Sequence, residues 1–475
     1  MAAYVLQHAG RLRAKPALEI VSAGGKQVWT YAQIDAAVRT VAGRLRAHGI
    51  VAGDIVVLRL ANTADFPIAY LGCIAIGALP VPLSMQLTPK DVQKITTDLC
   101  PRLVLGADGI AVADLTAAAP IDRAEFDMGD PNRAAYMIYT SGTSGTPRAV
   151  VHAHRAVWAR QMMWDDWYGL RRDDRLLHAG AFNWTYTLGT GLMDPWAIGA
   201  TALIPAEGTD AVALAALLSE HEATIFAAAP GVYRRILRSD IDAPTLRHGL
   251  SAGEALSPHL HQQWQAKTGT KVHEAFGMSE CSTFLSGSPK RPAPDGAIGW
   301  PQTGRKVALR PEGRPSDTGE IAIHRSDMGL MLGYFGAESE TEQRFDGDWF
   351  MTGDLGTKGP DGAISYAGRA DDMMNAGGYR VSPIEVEAAL ALHPDITECA
   401  ACAVQISTDI SLIAGFYVSP QMIDPKDLTD FAQSHLAGYK CPRIWVHTDS
   451  LPRGANNKLL RRKLREDWTA QHGQA

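Results

Sequence analysis

The chain has 475 residues, 45 Lys and Arg against 51 Asp and Glu, and a formal charge of −6. That length exceeds what one core usually supports, so a large domain and at least one more are expected. The charge balance leaves no electrostatic footprint for nucleic acid or an anionic membrane, and six scattered cysteines form neither a disulfide framework nor a zinc pattern.

The first twenty residues carry no secretion-signal pattern, so a cytoplasmic location is expected. Apolar positions at helical spacing predict a helix over Tyr31–His48, followed by a strand in DIVVLRL. The uncharged stretch Phe66–Leu83 is near the length of a membrane span. However, Pro67 suits a helix start and Pro80 and Pro82 forbid its continuation, which predicts a buried helix of about a dozen residues and then extended chain. No stable membrane insertion is expected. Strand-sized runs recur at RLVLGA, ATALIP, ATIFAAAP and GEIAIHR, with helical segments such as AVALAALLSEH between them, an α/β pattern of helix-covered sheets.

Toward the C-terminus the units shrink. Ser382, Pro383 and Glu385 read as N-cap, first helical residue and capping-box partner of a helix. Strands at ECAACAVQI, SLIAGFYV and RIWVHT, with a helix in DLTDFAQSHL, complete a small α+β domain. The expected boundary lies near Arg369–Asp371, giving domains 1–370 and 371–475. Cys399 and Cys402 fall three apart on one strand, which points their thiols to opposite faces and argues against a metal pair. The basic run KLLRRKLRE reads as a solvated helix face.

One segment asks for chemistry rather than packing. After the apolar-leaning AAYMI comes YTSGTSGTPRAV, Tyr139–Val150, two glycines and five Ser or Thr hydroxyls in twelve residues. Bare glycine backbone lets amides approach an anion, and Ser and Thr hydroxyls add donors, so the loop suits phosphate. The G-x-x-x-x-G-K-[ST] pattern fails here, because no lysine follows the second glycine and Arg148 comes too late.

Several segments together resemble the adenylate-forming superfamily, which includes acyl-CoA synthetases, carrier-protein adenylation domains and beetle luciferases. YTSGTSGTPRAV is similar to its phosphate loop, FGMSE (Phe276–Glu280) to its aromatic-Gly-x-Thr/Ser-Glu motif and WFMTGDL (Trp349–Leu355) to its TGD motif. GRADDMMNAGGYRVSPIEVE resembles its hinge region and LPRGANNKLLRRKL its terminal lysine motif, all in the family's order. The resemblance implies a large N-terminal domain of helix-covered sheets and a small, mobile C-terminal domain. It also implies ATP, Mg²⁺ and coenzyme A as reactants and cofactor, with a homodimer allowed.

Under that resemblance, Thr140, Ser141, Gly142, Thr143, Ser144, Gly145 and Arg148 would cradle the ATP phosphates. Glu280, with Thr140, would hold Mg²⁺, a hard cation that favours oxygen. Gly253, Glu254 and Ala255 in SAGEA, and Phe276, Gly277, Met278 and Ser279, would border the adenine. Asp354 would accept from the ribose hydroxyls with Arg369 beside it, and Arg380 would meet phosphate. Lys458 would bridge carboxylate and phosphate as charge develops, and Asp371 would be the hinge about which the small domain turns. By residue type alone, a turn aspartate and a surface lysine would be the plainer readings of Asp354 and Lys458; position in the motif series reverses both.

Three positions depart from the family pattern. Arg148 stands where lysine is usual and keeps the charge, Asn457 replaces a glycine before Lys458, and Met351 replaces an arginine before TGD. For the acid, His178–Ile204 resembles the matching region of benzoate-type aryl-CoA ligases, and AGYKCPRIWVHTDSLPR that of acyl-CoA synthetases. The segment AFNWTYTL supplies Phe182, Asn183, Trp184 and Tyr186 and no charge, which suits a small aromatic or short-chain monocarboxylate. The expected reaction is ATP-dependent acid:CoA ligation through an acyl-AMP. Two alternatives stay open: loading of a carrier-protein phosphopantetheine thiol, and a non-catalytic nucleotide- or acyl-adenylate-binding regulator.

Overall fold

The computed structural model describes the chain apart from residues 118–122, 141–147, 312–317, 371, 377–378, 408–409, 455–458 and 473–475. Its described residues fall into two compact units, Met1–Val307 with Ile323–Phe350, and Ala308–Ala322 with Met351–Ala475.

The first unit is built on a nine-stranded sheet. Its order is Trp300–Pro301, Ser282–Ser286, Val272–Met278, His248–Ala252, Ile225–Ala228, Arg175–His178, Thr201–Pro205, Pro16–Ser22 and Gly25–Thr30. The six strands from Val272–Met278 to Pro16–Ser22 run parallel, and antiparallel partners close both edges. Four-residue strands such as Ile225–Ala228 are buried at every position, which explains why they read as continuous apolar runs rather than alternating ones.

The expected helix spans Tyr31–Ala47. Thr30 caps it reciprocally with Gln33, the Gln33 amide donating to Thr30 Oγ1 and the Thr30 amide to Gln33 Oε1. Its buried face, Tyr31, Ile34, Val38, Val41 and Leu45, follows the 3.6-residue period. Each such side chain removed from water contributes about 1.5–3 kcal/mol before entropy is counted. The uncharged stretch resolves as proposed: a helix over Asp65–Ala75, buried in the core, then a strand at Leu79–Pro82. That strand joins Ile55–Arg59 and Leu103–Gly106 in a parallel three-stranded sheet. Among the described residues no helix is long and apolar enough to cross a membrane.

A third sheet positions the glycine-rich loop. Arg148–Ala153 lies between Ala134–Thr140 and Gly333–Tyr334, antiparallel to both. Residues 141–147 therefore join two paired strands whose ends, Thr140 and Arg148, are in register.

In the second unit, residues 351–358 of strand Trp349–Lys358 are flanked by residues 318–322 of Thr318–His324 and by Ile364–Arg369. A small sheet of Glu398–Ser407, Ile410–Val418 and Ile444–His447 follows, with helices Pro383–Leu390, Pro425–His435 and Arg461–His472. Cys399 and Cys402 are free thiols that join different apolar clusters, as their separation on one strand requires.

Two local expectations are corrected here. Helix Pro383–Leu390 does start at Ser382 with proline in its first turn, yet no side-chain cap forms. Ser382 Oγ instead donates to the Ala367 carbonyl at 2.7 Å, and Glu385 is taken by Lys440, so the capping box is absent. The basic run is not simply a solvated face. Arg462 and Lys463 are exposed and pair along the helix with Glu466 and Asp467, whereas Arg461 is only 16% exposed and grips Glu387 with two bonds of 2.6 and 3.1 Å.

Candidate active site

Glu280 sits in the turn between Val272–Met278 and Ser282–Ser286. Two contacts fix it: Tyr334 Oη, from the short strand beside Arg148–Ala153, donates to Glu280 Oε1 at 2.8 Å, and the Met331 amide, just before that strand, donates to the Glu280 carbonyl at 2.7 Å. Burial, and then the adjacent carboxylate, raises the Tyr334 phenol well above its usual value, so it remains a donor. A carboxylate held by a neutral hydroxyl is the kind of hard oxygen donor that suits Mg²⁺. Arg148 is engaged by Glu340 at 2.7 Å.

Phe276 meets Phe284 edge to face, with centroids 5.5 Å apart, and Phe276 through Glu280 are all part-exposed. Gly253 follows strand His248–Ala252 with φ +98, and a Cβ there would come within 2.9 Å of Trp184 Cζ2. Glycine is thus required twice over, for the backbone and for the approach of the indole. The structure brings together Trp184 and the SAGEA segment. Glu254 is half-buried and Ala255 exposed.

The remaining aromatics of AFNWTYTL are committed to packing. Phe182 is buried against Phe66 at 5.1 Å. Its amide donates to Asn62 Oδ1 at 3.0 Å while Asn62 Nδ2 donates to the Gly180 carbonyl at 2.7 Å. Tyr186 donates its hydroxyl to the Leu250 carbonyl at 3.0 Å and stacks on Trp167. Asn183 and Trp184 are part-exposed.

Sequence reasoning missed a buried charge beside this segment. Arg160 and Asp194 are 5% and 1% exposed and are joined through Nε at 3.0–3.1 Å and through Nη2 at 2.7 Å. Tyr168 Oη donates to Asp194 at 2.8 Å, and Arg160 also donates to Ser282 Oγ. Burial opposes the charge on Arg160, but Asp194 more than offsets it and keeps the guanidinium protonated. The signal was present in TLGTGLMD. Thr187–Met193 winds as a π-helix, and a Cβ on Gly189 would lie 2.2 Å from Arg160 Cζ.

His152 was missed as well. It is 2% exposed, stacks on Tyr136 at 4.9 Å, and its Nε2 lies 2.7 Å from the Ser279 carbonyl. Burial pushes its pKa down to about 4, so the ring is neutral. Tyr136, His152, Arg160, Thr185, Leu188, Met193, Ser279 and Ser282 line a small cavity between the loop-bearing strands, AFNWTYTL and FGMSE.

In the second unit, Asp354 is buried and paired in register with Arg369. Tyr366 Oη donates to Asp354 Oδ1 at 2.8 Å, and Arg369 Nη1 lies 3.4 Å from Oδ2. Arg380 pairs through its backbone with Asn375; its side chain, that of Thr140, and Ser141, Gly142, Thr143, Ser144, Gly145, Asp371, Gly377, Gly378, Asn457 and Lys458 lie outside what the structure describes. Among the described residues no group of three or more His, Cys, Asp or Glu side chains is placed to hold a metal.

The family model described as "AMP-binding enzyme" matches residues 6–335, and "AMP-binding enzyme C-terminal domain" matches 385–458. The chain belongs to the AMP-binding enzyme family. Within this adenylate-forming superfamily it is similar to 3-hydroxybenzoate–CoA ligase of Aromatoleum sp. (strain CIB), 30% identical over 93% of this chain and 92% of that one. It is also similar to the 3-hydroxybenzoate–CoA/4-hydroxybenzoate–CoA ligase of Thauera aromatica, 31% identical over 92% and 91%. A benzoate CoA ligase from Burkholderia xenovorans LB400 superposes with a TM-score of 0.86 at 28% identity, covering 98% and 99% of the two chains. Membership of the AMP-binding enzyme family, with whole-chain similarity to CoA ligases, makes this an acid–thiol ligase of the acyl-CoA synthetase type.

Proposed function

We propose that this AMP-binding enzyme activates a small aromatic monocarboxylate with ATP, releasing pyrophosphate, and then transfers the acyl group from AMP to coenzyme A. What supports the reading is similarity along nearly the whole chain to ligases named for hydroxybenzoates and benzoate. The names of these relatives favour free coenzyme A over a carrier-protein thiol as acceptor.

The roles proposed for this chain's residues follow from their chemistry. The loop from Thr140 to Gly145, with Arg148 at its exit, would bind the polyphosphate through backbone amides and hydroxyls. Phe276 to Ser279 and Gly253 to Ala255 would border the base. Asp354, oriented by Tyr366 and Arg369, presents a carboxylate suited to a ribose diol. Glu280, oriented by Tyr334, would hold Mg²⁺, which when bound neutralises charge on the polyphosphate.

Lys458 would stabilise charge as carboxylate oxygen attacks the α-phosphorus. Asp371 would be the pivot that takes residues 371–475 from an adenylating to a thioester-forming pose, and Arg380 a phosphate contact. Trp184 and Asn183 would meet the acid.

A purified sample given ATP, a panel of acids and coenzyme A should yield AMP, pyrophosphate and a thioester of the expected mass. Appearance of ADP without pyrophosphate would defeat the reading. Lys458→Ala should abolish adenylate formation yet spare thioester formation from supplied acyl-adenylate. Equal loss of both steps would remove Lys458 from the role given to it.

A further inference from the structure

The small cavity in the first unit holds two complementary groups. His152 Nε2 faces the Ser279 carbonyl, which can only accept, so the ring proton sits on Nε2 and Nδ1 is a bare acceptor. That Nδ1 is buried and has no hydrogen-bond partner among the described residues. Leaving such a group unsatisfied is costly, so it calls for an occupant that donates.

Ser282 supplies the opposite half. Its oxygen accepts from Arg160 Nη1, the one hydrogen bond it makes among the described residues, and its own hydrogen is left to donate. It is held there under strain, with φ +59 in the left-handed region that few side chains adopt. The register also slips between Phe276 and Gly277 on the facing strand. The cavity has room for about one water-sized group. It is lined on one side by Thr185 and Leu188 of AFNWTYTL, the segment that also carries Trp184.

We infer that this cavity receives a hydroxyl substituent on the ring of the acid, which donates to His152 Nδ1 and accepts from Ser282 Oγ–H. The inference rests on the aryl-acid reading above. A hydroxyl is both donor and acceptor, whereas the hydrogen of an unsubstituted ring satisfies neither group. Arg160 and Asp194 act one step back, the guanidinium fixing the Ser282 oxygen and Asp194 cancelling its charge, so the cavity is polar without favouring a second carboxylate. Selectivity for a hydroxylated acid then comes from the cost of leaving His152 and Ser282 without partners when the substituent is missing.

The test is pyrophosphate release from benzoate, its three monohydroxy isomers and, as controls, short aliphatic acids, with kcat/KM for the four aromatic acids measured for the full-length enzyme and for His152→Leu and Ser282→Gly. Glycine suits the backbone at 282, so that variant removes the hydroxyl while relieving strain and keeps the test decisive even if His152→Leu does not fold. The unaltered enzyme should prefer one hydroxy isomer over benzoate by about tenfold or more, and each folded variant should bring that ratio toward one. The inference is overturned if benzoate is preferred to every isomer, or if the variants lower all four acids by the same factor, as a merely structural cavity would. If aliphatic acids are adenylated and none of the four aromatic acids is, the aryl-acid reading itself fails, and this inference with it.

Discussion

Both units bury an arginine–carboxylate cluster, and they bury it differently. In the first, Arg160 and Asp194 are 6% and 1% exposed at their side chains and lean on Tyr168, Thr190 and Ser282. In the second, Arg461 and Glu387 are each 16% exposed, and Asp372 shares its carboxylate between Arg461 at 3.8 Å and Arg465 at 3.2 Å. The difference lies in what replaces water. The first cluster depends on a few fixed partners, while the second retains some solvent and a redundant set of charges. The first should therefore fail abruptly and the second gradually.

The largest break is Arg160→Met. It strands Asp194 in the interior and should lower unfolding free energy by about 3–5 kcal/mol in a denaturant titration. Adding Asp194→Leu should restore much of that loss, because the penalty belongs mostly to the orphaned charge; a double variant as unstable as the single one would contradict this. In the second cluster, Arg461→Met should cost less, about 1–3 kcal/mol. Its effect should appear as faster hydrogen exchange in helix Arg461–His472 while the nine-stranded sheet stays protected.

Acid sharpens the contrast. His178 is fully buried, and burial, helped by the charge of Arg160, lowers its pKa from 6.5 to about 3. Below pH 6.5 the unfolded chain takes up a proton that the folded one refuses. Stability should be fully present above that value and fall by about 1.4 kcal/mol per pH unit from this residue as pH drops toward 3. Midpoints measured between pH 7 and 5 should show the slope, and His178→Leu should lessen it by that residue's share, since His152, His154, His248 and His273 are lowered by burial too. The smallest effect belongs to the exposed pairs: Arg462→Gln should leave the melting midpoint unchanged within error, since pairs in water contribute little.

What could be read in advance divides along the same line. Strands such as Thr201–Pro205 were legible as continuous apolar runs, and the helix over Tyr31–Ala47 by its 3.6-residue period, because burial selects the residues it encloses. Asp354 and Arg369 were both marked by their places in a motif series, and the structure pairs them through strand register. Arg160 and Asp194 stand 34 residues apart in short helical turns, so no local pattern joins them. The nearest hint was the glycine at 189, which leaves space for a guanidinium. Ser382 was misread for a related reason: its hydroxyl had a tertiary carbonyl, that of Ala367, as a competitor for the local cap.

Strand Gly333–Tyr334 carries a consequence for engineering. Its backbone pairs with Val150 and Val151, and its phenol, with the amide of Met331, secures Glu280. The exit of the glycine-rich segment and the acidic side chain are thus registered to one shared ruler. Any chimera that exchanges the segment between homologues should transplant residues 331–334 alongside it, or the two ends of the gauge will come from different instruments.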